Sequence, residues 1–193
     1  MVTPKASDAA TTERPLRADA QRNQAKLIEA ARAEFVEHGA DAPLEDVARR
    51  AGVGIGTLYR RFPTRLDLLE AIYRNDVDAI AGRAVELADE ADVWSAFRTW
   101  ITEFSAYAVS KRALFQQLFD AIGKGSATMT HSRETVSAAM TTMLERAQQA
   151  GVVRADVSAS DVTRLVGGCT MMGALEPDQA ARMVEVVLDG LRA

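Results

Sequence analysis

Residues 43–65, Pro43-Leu-Glu-Asp-Val-Ala-Arg-Arg-Ala-Gly-Val-Gly-Ile-Gly-Thr-Leu-Tyr-Arg-Arg-Phe-Pro-Thr-Arg65, decide how the chain folds. Leu44, Val47, Ala48 and Ala51 fall at i, i+3, i+4 and i+7, the spacing of a short amphipathic helix. Asp41 and Pro43 mark its start, since proline's fixed φ suits a first turn. Gly52 ends it, because glycine adopts a positive φ without steric cost. A second short helix follows from about Ile55 to Phe62. Ile55, Leu58 and Phe62 are expected to face inward, Thr57, Arg60 and Arg61 outward, and Tyr59 to lie on the shoulder. Between Val47 and Leu66 every charge is positive, in a chain of formal net charge −4. Two short helices around a glycine turn form a helix-turn-helix.

The flanks support that unit. Upstream, Leu27, Ile28, Ala31 and Phe35 form one apolar face of a helix that begins at about Asp19 and stops at His38-Gly39. His38 is read as a capping residue at the negative end of the helix dipole, not as a metal ligand or base. Residues 1–16 show no periodicity and are expected to be a disordered arm. Downstream, Pro63 breaks the second short helix, and Thr64 with Asp67 reads as a capping box. The helix it opens carries Leu66, Leu69, Tyr73, Val77 and Ile80 and is long enough to link two cores. The expected domains are an arm (1–16), a helix-turn-helix domain (17–65), a linking helix (66–84) and a second helical domain (85–193).

The basic window outweighs the acidic total. Phosphates feel charge within about a Debye length, roughly 10 Å, so a local patch matters more than a pI near 5.3. No apolar run is long enough to cross a membrane, and no secretory leader is evident, so the expected location is the cytoplasm and no membrane partner is expected. One cysteine, Cys169, leaves no internal disulfide and no cysteine metal cluster. His38 and His131 are far apart and lack helix-spaced acidic partners, so no catalytic constellation is assembled and neither cofactor nor metal is expected.

No strand pattern interrupts the remaining chain, and the fold class is all-α with about nine helices. An acidic joint at 89–92 precedes an aromatic segment, Val93 to Tyr107, and then an apolar one, Leu114 to Ile122. After a flexible connection at 123–126 comes an amphipathic helix with Val136, Met140, Met143, Leu144 and Ala147, ended by Gly151. Ser158 with Asp161 is a capping box for the next helix. Pro177 opens the last.

In the helix-turn-helix the second short helix must bring its first residues to base edges and its flanks to phosphates. Gly54 and Gly56 leave no side chain to hold the backbone off DNA. Thr57 offers a hydroxyl or a methyl, and Tyr59, Arg60 and Arg65 are placed as phosphate donors. Leu44-Glu-Asp-Val-Ala48, Ala51-Gly-Val53, Gly56-Thr-Leu-Tyr59, Phe62 and Arg65-Leu-Asp-Leu-Leu69 together resemble the DNA-binding domain of TetR-family regulators, over roughly residues 22–70. The resemblance implies an all-helical homodimer whose N-terminal domain binds a palindromic operator and whose C-terminal domain binds a small molecule that releases DNA. It places Ile55, Gly56 and Thr57 at base-reading positions and Tyr59, Arg60 and Arg61 near the backbone. Arg65 falls where the family usually has a phosphate-contacting Lys. Pro43 departs from the family's Ser or Thr, so a hydroxyl that caps the helix and touches phosphate is missing.

The expected effector is small and hydrophobic. Trp94, Phe97, Trp100, Phe104, Tyr107, Phe115, Phe119, Met140, Met143 and Met172 are the candidate lining of its cavity, each also readable as plain core. Tyr107, Gln116, Gln117, His131 and Arg133 are the polar groups that could orient it. The expected dimer face lies on the last two helices, at Val162, Leu165, Val166, Cys169, Val184, Val187, Leu188 and Leu191, with Gly167, Gly168 and Gly173 permitting close approach. Activation in place of repression, or DNA binding without any effector, remain alternatives at this point.

Overall fold

A computed structural model describes residues 9–39, 41–123, 125–171 and 176–193. Among them are eight helices: α1 (Ala9–His38), α2 (Leu44–Ala51), α3 (Ile55–Arg61), α4 (Arg65–Leu87), α5 (Val93–Ile122), α6 (Ala127–Gln149), α7 (Ala159–Met171) and α8 (Pro177–Leu191). The described residues hold no strand, only an isolated antiparallel bridge between Val153 and Arg192. The chain divides into two compact units, residues 1–72 and 73–193. The division falls inside α4, which supplies its first two turns to one unit and the rest to the other.

Two of these helices differ from the expectation. α1 begins at Ala9, not near Asp19, so 9–16 is helical where an arm was expected; residues 1–8 lie outside the described residues. Alanine, leucine, glutamate and arginine there are good helix formers, which offset the two threonines and Pro15, and a helix needs no apolar stripe to form. The aromatic and apolar segments at 93–107 and 114–122 run as one thirty-residue helix, α5. α6 starts directly after the 123–126 connection, with Ser126 as its cap: its Oγ accepts from the Met129 amide at 3.2 Å.

Helix ends follow the capping chemistry. Thr64 and Asp67 bond reciprocally, Thr64 N–H to Asp67 Oδ2 at 2.8 Å and Asp67 N–H to Thr64 Oγ1 at 3.1 Å. Ser158 and Asp161 repeat the box at 2.9 and 3.2 Å. Asp92 caps α5 by accepting from the Ser95 amide at 2.9 Å. The Asp161 and Asp92 carboxyls are held below the usual carboxylate range, Asp161 by the Ser158 hydroxyl and amide and Asp92 by the Ser95 amide and hydroxyl.

The first unit buries Leu27, Ala31 and Phe35 of α1 against Val47 and Ala48 of α2, with Leu58, Phe62, Leu68 and Ile72 completing the interior. In the second, Phe97, Trp100 and Ile101 of α5, Met140, Met143 and Leu144 of α6, Val162 and Val166 of α7 and Val184 and Leu188 of α8 form one continuous core. The Trp100 indole N–H is satisfied inside it, donating to the Ile80 carbonyl at 3.0 Å.

Candidate functional site

The turn between α2 and α3 is a Schellman motif. Gly52 sits at φ 68°, its N–H reaches the Arg49 carbonyl at 3.1 Å, and the Val53 N–H reaches the Ala48 carbonyl at 3.0 Å. A β-carbon is strained at that φ whatever space surrounds it. Leu58 and Phe62, four residues apart, anchor α3 from beneath. Ile55 does not join them: it is 37% exposed, against the inward position expected of it. A seven-residue helix needs only one apolar pair to seat it, and its first turn, next to the Gly54 cap, stays open to solvent.

The outer face of α3 therefore carries Ile55, Gly56, Tyr59, Arg60 and Arg61 exposed, with Thr57 half-buried beside them and Gly54 exposed at the cap. Tyr59 is 44% exposed. The Arg61 guanidinium donates to the Gln24 side chain of α1. Arg65 is half-buried, its guanidinium 5.6 Å from the Phe35 ring centroid in cation–π contact, which fixes the stem of the side chain at the α1–α4 junction. The Asp67 carboxylate is turned back onto Thr64.

The other two arginines of the basic window serve the scaffold. Arg50 bridges α2 to α1, donating to Glu37 at 2.7 and 3.0 Å and to the buried Glu34 at 3.0 Å. Those bonds hold the Glu37 carboxyl below its usual range. Arg49 pairs with Asp46 at 2.6 Å. Pro43 stands at the N-cap of α2 without a side-chain cap bond.

The second unit contains a cavity of about 430 Å³. Tyr73, Val77 and Ile80 of α4 form one wall, and Phe104, Tyr107 and Phe119 of α5 another; Tyr73 and Phe119 meet edge to face at 5.5 Å. Burial pushes the Tyr73 phenol up. Of the described aromatic candidates, Phe104, Tyr107 and Phe119 line this space. Phe97, Trp100, Met140 and Met143 are solid core, and Trp94 packs on that core with the Arg192 guanidinium 4.8 Å from its ring centroid. The Phe115 and Gln117 side chains, Met172 and Gly173 lie outside the described residues. Of the expected polar groups, Tyr107 and Arg133 line the cavity; Gln116 bonds Asp120 at 2.9 Å and His131 meets Asp78 at 3.1 Å.

Sequence reading passed over Arg112, Arg164 and the hydroxyl residues of the lining, although the pattern was there. Ser160, Thr163, Arg164, Gly167 and Thr170 recur at helical spacing on α7, and Arg112 falls eight residues after Phe104 on one face of α5. Most of the side chains expected at the dimer face are buried within the unit itself. Val162, Val166, Cys169, Val184, Leu188 and Leu191 belong to the unit's own core, and Val187 packs on it. The helix rows with the strongest apolar periodicity are those a protomer uses for itself. Leu165, at 48% exposure, is the one of the eight left open; Met183 and Val186 are exposed on α8, Val186 at 71%.

A helix-turn-helix whose outer helix is exposed, basic and free of acids defines a DNA-binding regulator of transcription. The family model described as "Bacterial regulatory proteins, tetR family" matches residues 27–72, and "Transcriptional regulator SbtR-like, C-terminal domain" matches 93–193. The chain belongs to the TetR family of DNA-binding transcriptional regulators, a family of regulators and not of enzymes. It is similar to a TetR transcriptional regulator of Streptomyces coelicolor, with 36% identity, TM-score 0.72 and 88% of this chain and 98% of that one covered. It is similar also to a TetR transcription regulatory protein from Mycobacterium vanbaalenii, with 32% identity, TM-score 0.76 and 93% and 100% covered. An HTH-type transcriptional regulator of Staphylococcus aureus is 30% identical over 76 residues, 39% of this chain; the match spans 41% of that relative's length. No helix among the described residues is long and apolar enough to cross a membrane.

Proposed function

We propose that the chain is a cytoplasmic homodimeric repressor that leaves a palindromic operator when a small molecule fills the cavity of its second unit. The observation that carries this reading is the cavity itself. A chain that only held DNA would have no use for about 430 Å³ of unfilled space walled partly by the helix that also begins in the DNA-binding unit. In this reading residues 17–65 read DNA, 66–84 link, and 85–193 dimerise and, with Tyr73, Val77 and Ile80, hold the effector.

The DNA contacts are Gly54, Ile55, Gly56 and Thr57 toward bases, and Tyr59, Arg60, Arg61 and Arg65 toward phosphates. One such module reads only a few base pairs, so two copies about one helical turn apart, roughly 34–36 Å, supply specificity. The apolar side chains left for the dimer contact are Leu165, Met183 and Val186, with Gly168 three residues after Leu165 on α7. An effector that favours one set of α4 over another shifts the dimer toward a spacing the operator does not fit.

The test is a mobility shift with the DNA upstream of this chain's own transcription unit. Three arginines per protomer at phosphates give a dimer a slope of log K against log salt of about −5. Replacing Arg65 by Ala removes two of those charges and flattens the slope by about 2, and adding Tyr59→Ala abolishes binding while the helical circular dichroism stays unchanged. Binding retained by the double variant overturns the assignment.

A further inference from the structure

We propose that the cavity of the second unit takes a compact amphipathic organic acid, its anionic group held by Arg112, Arg133 and Arg164. This rests on the reading of the chain as an effector-responsive regulator, and it replaces the purely apolar effector expected from the sequence with one that has a charged head.

The three arginines come from three helices, α5, α6 and α7, and all line one cavity; among the described residues no carboxylate lines it. Asp78 faces His131, Asp161 closes the Ser158 box, and Asp76 and Glu134 are outside the lining. Arg133 and Arg164 are exposed, which sets them at the mouth, whereas Arg112 is half-buried.

The hydroxyls sharpen the charge argument. Ser132 donates to the Thr128 carbonyl at 2.9 Å, Thr163 to Ala159 at 2.8 Å and Thr170 to Val166 at 2.9 Å. Their protons are spent on their own helices, so these three hydroxyls are not the donors that hold a ligand. Ser137 and Ser160 add neutral hydroxyls to the lining, and its charged donors are the guanidinium N–H groups. Each guanidinium has five, so a protein partner on one edge leaves others for a ligand. A carboxylate meets such a fork two bonds at a time, the strongest pairing available to it. An ammonium would meet three like charges, and a neutral head would strip water from the guanidinium groups with no charge to offset it. The rest of the surface, Val77, Ile80, Phe104, Phe119 and Val136, is apolar. A volume at the small end of ligand pockets, which run from roughly 300 to 1,000 Å³, suits one ring or a medium acyl chain.

Three probes with one body and different heads separate the possibilities: phenylbutyrate, phenylbutanol and phenylbutylamine, with decanoate as a second acid. Titration calorimetry on the full chain is expected to show the acids binding at least about tenfold more tightly than the alcohol, a difference near 1.4 kcal/mol, and the amine weakest. The double variant Arg133→Gln, Arg164→Gln, whose positions are exposed, should lose about tenfold for the acids and leave the alcohol within about twofold. Val136→Trp, which fills the cavity from α6, should lose the acids altogether. Alcohol binding as tight as acid, equal losses for both heads in the double variant, or failure of both acids to bind overturns the proposal. A parallel mobility shift separates it from the regulatory reading. Acids that bind without releasing DNA sink the effector role and leave the anion site standing; release by the alcohol alone does the reverse.

Discussion

Gly56→Ala separates recognition from stability, because the two should move in opposite directions. Gly56 is the second residue of α3, it is exposed, and a β-carbon built on it meets nothing within 4 Å. Within the protein the substitution therefore costs no packing. Alanine in a helix is favoured over glycine by roughly 0.5–1 kcal/mol, and toward a helix end the gain sits at the lower figure. For a chain of this size about 0.5 kcal/mol raises the melting temperature by roughly 1–2 °C. In the proposed DNA contact the same methyl would stand between the backbone of the recognition helix and the groove floor. Losing one well-made base contact costs about 1–3 kcal/mol, which is roughly a 5- to 150-fold weaker operator complex. Gly54 is a poorer probe, since alanine at an N-cap is itself destabilising. The assay is a pair of measurements on one variant, a thermal melt and a fluorescence-anisotropy titration of operator DNA. A melting temperature equal or higher, with affinity unchanged within twofold, would refute the close approach of this backbone to bases.

Two further outcomes follow from the second unit. Trp100 is fully buried, stacked on Phe104 at 5.6 Å and bonded to the Ile80 carbonyl, so Trp100→Ala should cost about 3–5 kcal/mol in urea unfolding; a cost below about 1 kcal/mol would show the core is not closed there. The Asp161 and Asp92 carboxyls are depressed in the folded chain, so the stability they supply is present above the unfolded value near 3.9 and lost as pH falls through the lower folded value. Asp161→Asn should therefore lower the melting temperature at pH 7 and flatten its decline below about pH 4, measured by calorimetry across that range. An unchanged acid limb would assign the decline to other groups.

Capping chemistry made the helix boundaries readable, because each signal is local. Thr64 with Asp67, Ser158 with Asp161, Gly52 and Pro177 each decide their own turn, and each does so in the structure. The start of α1 and the continuity of α5 were harder to read. Ala108 to Ala113 contains neither Gly nor Pro, and nothing in it breaks a helix; it merely interrupts the apolar stripe. The absence of a stripe says which side is wet, not whether the backbone turns. Ile55 errs in the same direction. Period alone places it under Leu58, but periodicity cannot tell that a helix of seven residues ends before its neighbours do.

The aromatic row of α5 shows why core and ligand wall look alike in a sequence. Phe97, Trp100, Phe104 and Tyr107 lie on one stripe, spaced alike and chemically alike. Its first half is sealed against α6, α7 and α8, while its second half faces open space. Periodicity reports that a face turns inward; whether the opposing helices meet it depends on side-chain volume on three other elements. What does differ along the stripe is the polar residue that follows in register. Arg112 continues the face of Phe104 and Ala108, and Ser160, Thr163, Arg164 and Thr170 make a polar row on a helix whose other row is core. A Ser or Thr hydroxyl can pair with a carbonyl of its own helix, as Thr163 and Thr170 do, but a guanidinium is not spent on an inward face that only has to pack, since burying it unpaired costs about 1–3 kcal/mol or more. A polar residue in the register of an apolar stripe is therefore the better guide to a ligand wall than the aromatics themselves.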